Sequence, residues 1–196
     1  DEAAAVTTIT SFDVDSDADA SDGALESLTL TSSADDGLVI TGVANGGDIA
    51  EIDLTGMQAG FSIADTGGGT TYTIGSIGDG VTGGNNVDPD GTGSDDTDAS
   101  VLNLSAGNPD TLVFTNDSLD NVLLVNGAEG GGDLSDDTFD FSQFDGVSSI
   151  NDLDLEQGTF EGGSSGDVSI TSSAFDGQII LAGVTLGDLN DSDFAF

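Results

Sequence analysis

Residues 28–63 run LTLTSSADDGLVITGVANGGDIAEIDLTGMQAGFSI. Apolar and polar residues alternate here in short bursts. Leu28 and Leu30 alternate with Thr29 and Thr31, Leu38 and Ile40 follow, Ile52 and Leu54 alternate with Glu51 and Asp53, and Phe61 precedes Ile63. A period of two puts every second side chain on one face, which is the pattern of a half-buried strand. The bursts are separated by Gly, Asn and Asp, including Asn45-Gly46-Gly47, residues that take up tight-turn backbone at little cost. Tyr72 and Ile74 continue the series beyond Gly67-Gly68-Gly69. Strands recurring every 8–12 residues or so mark sandwiches, barrels or stacked coils. The stretch predicts an all-β fold, either a β-sandwich or a short β-solenoid with Gly/Asp-rich turns.

Downstream, residues 83–100 read GGNNVDPDGTGSDDTDAS, a polar segment without apolar periodicity, expected as a loop. Beyond it the apolar runs become continuous. Leu112-Val113-Phe114 and Val122-Leu123-Leu124-Val125 read as strands buried on both faces, with Asn126-Gly127 as the following turn. Seven of the ten phenylalanines lie after position 138, so the better core is expected there. Asp188–Asp193 suits a short helical turn, and helix is otherwise scarce. The expected organisation is an acidic N-terminal strand or segment (1–23), a first β lobe (24–85), an acidic calcium-type loop (86–100) and a second β lobe with a hydrophobic C-terminus (101–196). Ala5–Phe12 has two-sided strand character. It suits either a first strand in its own sheet or, as in donor-strand exchange, pairing with a neighbour's sheet edge.

The charge is one-sided. The 196 residues hold 38 Asp and Glu but no Lys, Arg or His, for a formal net charge of −38. No side chain can form a salt bridge with a carboxylate, and self-repulsion opposes compaction. Such acidity often signals disorder, yet 36% of residues are hydrophobic and the mean hydropathy is near zero. The chain therefore reads as ordered once its carboxylates are solvated, protonated or bridged by cations. Calcium is the expected cation, being matched to carboxylate and carbonyl oxygen. Nucleic acid and anionic lipid surfaces are excluded as partners, because both require basic residues. Without Cys there are no disulfides or thiolate metal sites. No apolar run is long enough to span a membrane as a helix. Asp1 followed by Ala3-Ala4-Ala5 reads as a processed N-terminus.

Two acidic segments are candidate calcium sites. Asn86, Asp88 and Asp90, followed by Gly91, place oxygen ligands at positions 1, 3 and 5 and a glycine at position 6, the opening of an EF-hand-type loop. Position 12 is Thr97 rather than Glu, and Asp95, Asp96 and Asp98 stand nearby as substitutes. In the second segment, counting from Asp15 puts Asp17 and Asp19 at positions 3 and 5 and Glu26 at position 12, with Asp13 and Asp22 alongside and Ala20 where glycine is usual. For both segments the plainer reading is a solvated acidic stretch. Weaker clusters are Asp136, Asp137 and Asp140, and Glu129 with Asp133 around Gly130–Gly132.

Catalysis has little to build on. Without His, Cys or Lys the usual nucleophile–base pairs are missing. Asp65-Thr66-Gly67 matches the aspartic-protease tripeptide, a near-chance event in this composition. Glycosidase-like carboxylate pairs are inevitable among 38 acids and carry no information. No enzymatic activity is expected. Asn103, Asn116 and Asn190 each open an N-x-Ser sequon.

Residues 177–196, GQIILAGVTLGDLNDSDFAF, resemble the ends of RTX-type proteins exported by type I secretion. Ile179-Ile180-Leu181, Gly183-Val184, Asp188-Leu189 and Asp193-Phe194-Ala195-Phe196 occupy the positions of apolar strand, turn, acidic segment and hydrophobic terminus. Residues 24–64 look like the β-solenoid repeats of calcium-dependent bacterial surface-layer proteins. The resemblance implies an extracellular bacterial protein, secreted or on the cell surface, that folds with calcium after export and joins a surface assembly. The expected function is a secreted structural protein that self-assembles into a filament or surface layer, a homo-polymer stabilised by calcium on its Asp clusters. The alternative is a calcium-dependent cap or adhesion domain of a larger exported protein, binding a cell-surface glycan.

Overall fold

The computed structural model describes residues 5–10, 12–13, 27–32, 36–44, 49–64, 69–75, 86–87, 97–104, 109–116, 121–127, 137–160 and 166–196. The fold is all-β. The strands are β1 (Ala5–Ile9), β2 (Phe12–Asp13), β3 (Ser27–Thr31), β4 (Asp36–Ile40), β5 (Val43–Ala44), β6 (Glu51–Gly56), β7 (Phe61–Ile63), β8 (Thr71–Ile74) and β9 (Asn86–Val87). They continue with β10 (Thr97–Asp98), β11 (Ser100–Asn103), β12 (Thr111–Thr115), β13 (Val122–Asn126), β14 (Thr138–Gln143), β15 (Asp154–Gly158), β16 (Asp167–Ser172), β17 (Phe175–Leu181) and β18 (Phe194–Ala195). Short 3₁₀ turns occupy Ile150–Asp152 and Asp191–Asp193, the second where the sequence suggested one.

Two large sheets dominate. One has the order β1-β4-β7-β11-β13-β17-β16-β15, the other β3-β6-β8-β12-β14-β18. Apart from the small pairs β2–β5 and β9–β10 and the antiparallel hairpin β15–β16, the chain alternates between these two sheets. Neighbouring strands within these sheets are parallel, except at one edge, where β15–β16 and β16–β17 pair antiparallel. Equivalent residues therefore stack in columns. Leu28, Ile52, Tyr72, Leu112, Phe139 and Phe194 form one. Ile9, Ile40, Ile63, Leu102, Val125 and Leu181 form another.

Both columns point into one core. The alternation of Glu51 and Asp53 with Ile52 and Leu54 is realised in β6, where Ile52 and Leu54 are buried, Glu51 is exposed and Asp53 is half-buried. The phenylalanines beyond position 138, Phe160 excepted, gather with Phe114: it stacks on Phe141 at 4.8 Å between ring centroids, and Phe141 in turn lies 6.3 Å from Phe196.

The continuous run Val122–Val125 is buried throughout, as expected for a strand covered on both faces. The second cover is a smaller cluster of Val101, Val122, Leu124, Ile180 and Ala182 with Phe160 on the outer face of the sheet. The Asn126-Gly127 turn also forms. Gly127 has φ +82°, and a Cβ there would collide with the Leu104 carbonyl.

The segment expected as a loop at 83–100 departs from that reading. β9 and β10 pair antiparallel, with Asp98 opposite Asn86 and Thr97 opposite Val87, and β11 already begins at Ser100. Two-residue strands are too short to leave a periodic signal. The N-terminal run lies in its own sheet: β1 pairs in parallel with β4, Ala5 opposite Asp36 through Ile9 opposite Ile40.

Candidate functional site

The carboxylates are the chemistry of this chain, and among the described residues four of them are buried: Asp110, Asp137, Asp167 and Asp193. Burying an ion without partners is prohibitive. Here the partners are backbone N–H groups. The Asp110 carboxylate accepts from Thr70 N–H at 2.8 Å, and Asp137 accepts from Asp110 N–H at 2.9 Å. Thr70 Oγ1 extends the series by donating to the Ile49 carbonyl. These residues immediately precede β8, β12 and β14, so each level of the sheet is tied to the next at its corner.

Asp167 is fully buried. Its two oxygens accept from Phe160 N–H and Gly183 N–H, both at 3.0 Å, fastening the β15–β16 hairpin to the turn after β17. Asp193 accepts from Asn190 N–H, while the Asn190 side chain accepts from Ser192 N–H, a reciprocal cap on the last 3₁₀ turn. Solvation, protonation and cation bridging were the remedies expected from the sequence. Backbone donors are a fourth, and it went unrecognised. Its signal is present in the chain as Thr70-Thr71-Tyr72, Asp110-Thr111-Leu112 and Asp137-Thr138-Phe139: a short polar corner residue, a threonine and a large ring or aliphatic side chain at the start of a strand.

Carboxylates nearer the surface use the same device. Asp152 accepts from Ser148 N–H and from the Ser148 and Ser149 hydroxyls. The Ser148 backbone bond, followed by the Ser148 hydroxyl, holds its pKa below the ordinary 3.8. Asp188 accepts from Thr185 N–H and hydroxyl, and Asp53 from those of Thr55.

The sequon asparagines are engaged structurally. Asn103 donates to the Ile63 carbonyl at 2.7 Å and accepts from Asn126 on the next strand. Asn116 pairs with Asp145 through both its amide nitrogen and oxygen. Asn190 is the cap described above.

Of the candidate calcium ligands, Asn86 and Asp98 are brought opposite each other by the β9–β10 pairing. Asp13 lies in β2, opposite Ala44 of β5. Asp88, Asp90, Asp95, Asp96, Asp15, Asp17, Asp19, Asp22 and Glu26 lie outside the described residues, as do Asp136, Glu129, Asp133 and the Asp65-Thr66-Gly67 tripeptide. The structure separates Asp137 and Asp140: the first is buried at the corner before β14, and the second accepts from Ser142 N–H within β14. Among the described residues no three carboxylates converge as a metal-holding group.

A second feature is the end of the stack formed by β1 and β3. Each is the first strand of its sheet, and among the described residues neither has a partner on its outer edge. The sequences AVTTI and SLTLT carry no charge. Ile9, Leu28 and Leu30 pack against the core but remain only partly buried, whereas column-mates Ile40 and Ile52 are 3% and 1% exposed. At the opposite end β15 carries Asp154 and Glu156, both exposed.

Comparison with protein-family descriptions, curated proteins and solved structures returned no match to this chain.

Proposed function

We propose that this chain is a short β-solenoid with a structural role: a secreted, extracellular protein that self-assembles, with calcium neutralising its acidic segments. One observation carries the reading. Among the described residues both sheets end, on the same side, on uncharged strands whose apolar side chains are incompletely covered, and an edge of this kind templates further strand pairing. Alternation of the chain between two parallel-rich sheets supports a solenoid over a sandwich, since each circuit of the chain adds one strand to each sheet. The RTX-like terminus at 177–196 supports export. The calcium ligands in this reading are the segments around Asp13–Glu26 and Asn86–Asp98. It assigns no catalytic role.

The test is a Ca²⁺ titration of metal-free protein at low salt, with circular dichroism for folding and light scattering for size. A cooperative gain of β-structure together with association is the expected result. Unchanged spectra and size across the titration would remove calcium from the account.

A second reading is favoured by the β15–β16 hairpin, which continues the β17 edge in antiparallel sense and ends the run of parallel strands. That is the form of a cap on a longer stack. A cap or adhesion domain remains a folded, calcium-loaded monomer and binds a cell-surface glycan.

A further inference from the structure

We infer that Asp167 is an acid-released clasp: on protonation it lets go of the strap that carries Phe160 and uncovers an apolar row on the outer face of the eight-stranded sheet. The inference stands apart from the self-assembly and calcium readings above. Its first support is what Phe160 covers. Val101, Leu124 and Ile180 are 3%, 0% and 0% exposed and lie side by side on β11, β13 and β17. Among the described residues, they cluster with Val122, Ala182 and the Phe160 ring. Phe160 belongs to none of those strands. It follows β15, and its ring lies so close to Gly158 that a Cβ there would meet it at 2.6 Å. Its backbone N–H is held by the Asp167 carboxylate.

The second support is how the clasp is built. One Asp167 oxygen accepts from Phe160 N–H and the other from Gly183 N–H, both at 3.0 Å. Two acceptors are required, and the carboxylate supplies both. Protonation turns one oxygen into a hydroxyl, whose proton is itself a donor. Asp167 is 0% exposed, so bulk water does not reach the displaced N–H, and a buried donor without an acceptor is costly. Release of the strap relieves that cost.

The surroundings make the response specific. Protonating exposed carboxylates lowers the net charge of −38 and relieves self-repulsion. Asp167 acts in the opposite sense, because its charge-assisted bonds belong to the ionised form. On β15, Asp154 and Glu156 are exposed and lie opposite Thr171 and Ser169, further along β16 than Asp167. Asp176 of β17 is exposed, and Asp188, in the turn after β17, is engaged with Thr185. β11 and β13 carry no carboxylate, and Glu161 lies outside the described residues. The other buried carboxylates, Asp110, Asp137 and Asp193, precede strands of the six-stranded sheet.

The experiment lowers the pH of the full chain at fixed ionic strength with calcium in excess. It follows an uncharged hydrophobic dye, circular dichroism and light scattering together. The wild type is compared with Asp167→Asn, a neutral stand-in for the protonated residue, and with Phe160→Ala. The expected result for the wild type is a several-fold, reversible rise in dye fluorescence on acidification, with the β-signal retained and scattering unchanged. Both variants bind the dye already at neutral pH and gain little more in acid. A readout on the wild type alone covers the case of a variant that does not fold. In NMR, the amide proton signals of Phe160 and Gly183 shift with the same midpoint as the dye. The inference is overturned if the dye binds only as the β-signal is lost or scattering grows, or if it never binds. It is equally overturned if the acid step is unchanged in Asp167→Asn, or if the two amide signals stay in place through that step.

Discussion

At the residue scale, the chain replaces missing cations with backbone N–H groups, and Asp167 is the most demanding case. Its two oxygens serve two separate donors, Phe160 N–H and Gly183 N–H, with no exposure to solvent. An amide has one oxygen and one NH₂ group, so Asp167→Asn turns a donor toward one of the two N–H groups and leaves it unpaired. A buried donor left without an acceptor costs about 1–3 kcal/mol, which a lowered denaturation midpoint at unchanged slope will report. Asp152 makes a different prediction. Its pKa is lowered chiefly by the Ser148 backbone N–H and then by the Ser148 hydroxyl, so its carboxyl carbon should titrate by NMR below 3.8, and Ser148→Ala should move that midpoint back up. Because the folded-state value lies below the unfolded one, its stabilising contribution is complete above the unfolded pKa. It is lost as pH falls through the folded value. A midpoint at or above 3.8 contradicts the hydrogen-bonded arrangement. Neither aspartate was picked out in the sequence, because in a chain this acidic a single Asp carries no signal. The corner aspartates Asp110 and Asp137 were legible only as a repeat, each followed by threonine and a large apolar residue.

At the element scale, what was legible depended on strand length and on what covers each face. Glu51–Thr55 alternates because one face of β6 is wet, and that alternation can be read directly. Val122–Val125 does not alternate, and its uniform apolarity correctly implied cover on both sides. What supplies the second cover was invisible, since Phe160 arrives from the end of a different strand, at a distance in sequence that no period encodes. β9 and β10 escaped for the opposite reason: two residues per strand cannot establish a period. The role of Phe160 is testable. Phe160→Ala uncovers Val101, Leu124 and Ile180 on the outer face of the sheet, and a buried Phe→Ala change costs about 3–5 kcal/mol. The variant should melt earlier and bind a hydrophobic dye that the parent does not. An unchanged melting temperature would mean that other groups cover this face. The hairpin that carries Phe160 is pinned by Asp167 and by Gln157, which accepts from Leu186 N–H, so its loss should loosen the sheet's acidic end before its centre.

At the scale of the whole molecule the governing quantity is the net charge of −38, and two kinds of cation effect must be told apart. General screening acts on all carboxylates alike and depends on ionic strength through the Debye length, about 10 Å at 0.1 M salt. Specific binding acts at a few sites, saturates, and stabilises the folded state in proportion to the logarithm of free ligand above its dissociation constant. The described residues settle their buried carboxylates on backbone donors, so their need for cations is the diffuse, screening kind. The two acidic segments, Asp13–Glu26 and Asn86–Asp98, concentrate acid on short stretches and are where saturable binding is expected. Melting curves in NaCl and in CaCl₂ at matched ionic strength separate the contributions. The expected outcome is a gradual rise in melting temperature with NaCl and a larger one with CaCl₂. Replacing Asp88 and Asp90 by Asn should reduce the calcium increment while leaving the NaCl slope nearly unchanged, because two charges among 38 alter screening little. If the two salts coincide at equal ionic strength, the acidity serves solubility and salt tolerance, and the ordered columns of Ile, Leu and Phe hold the stack without any bound ion.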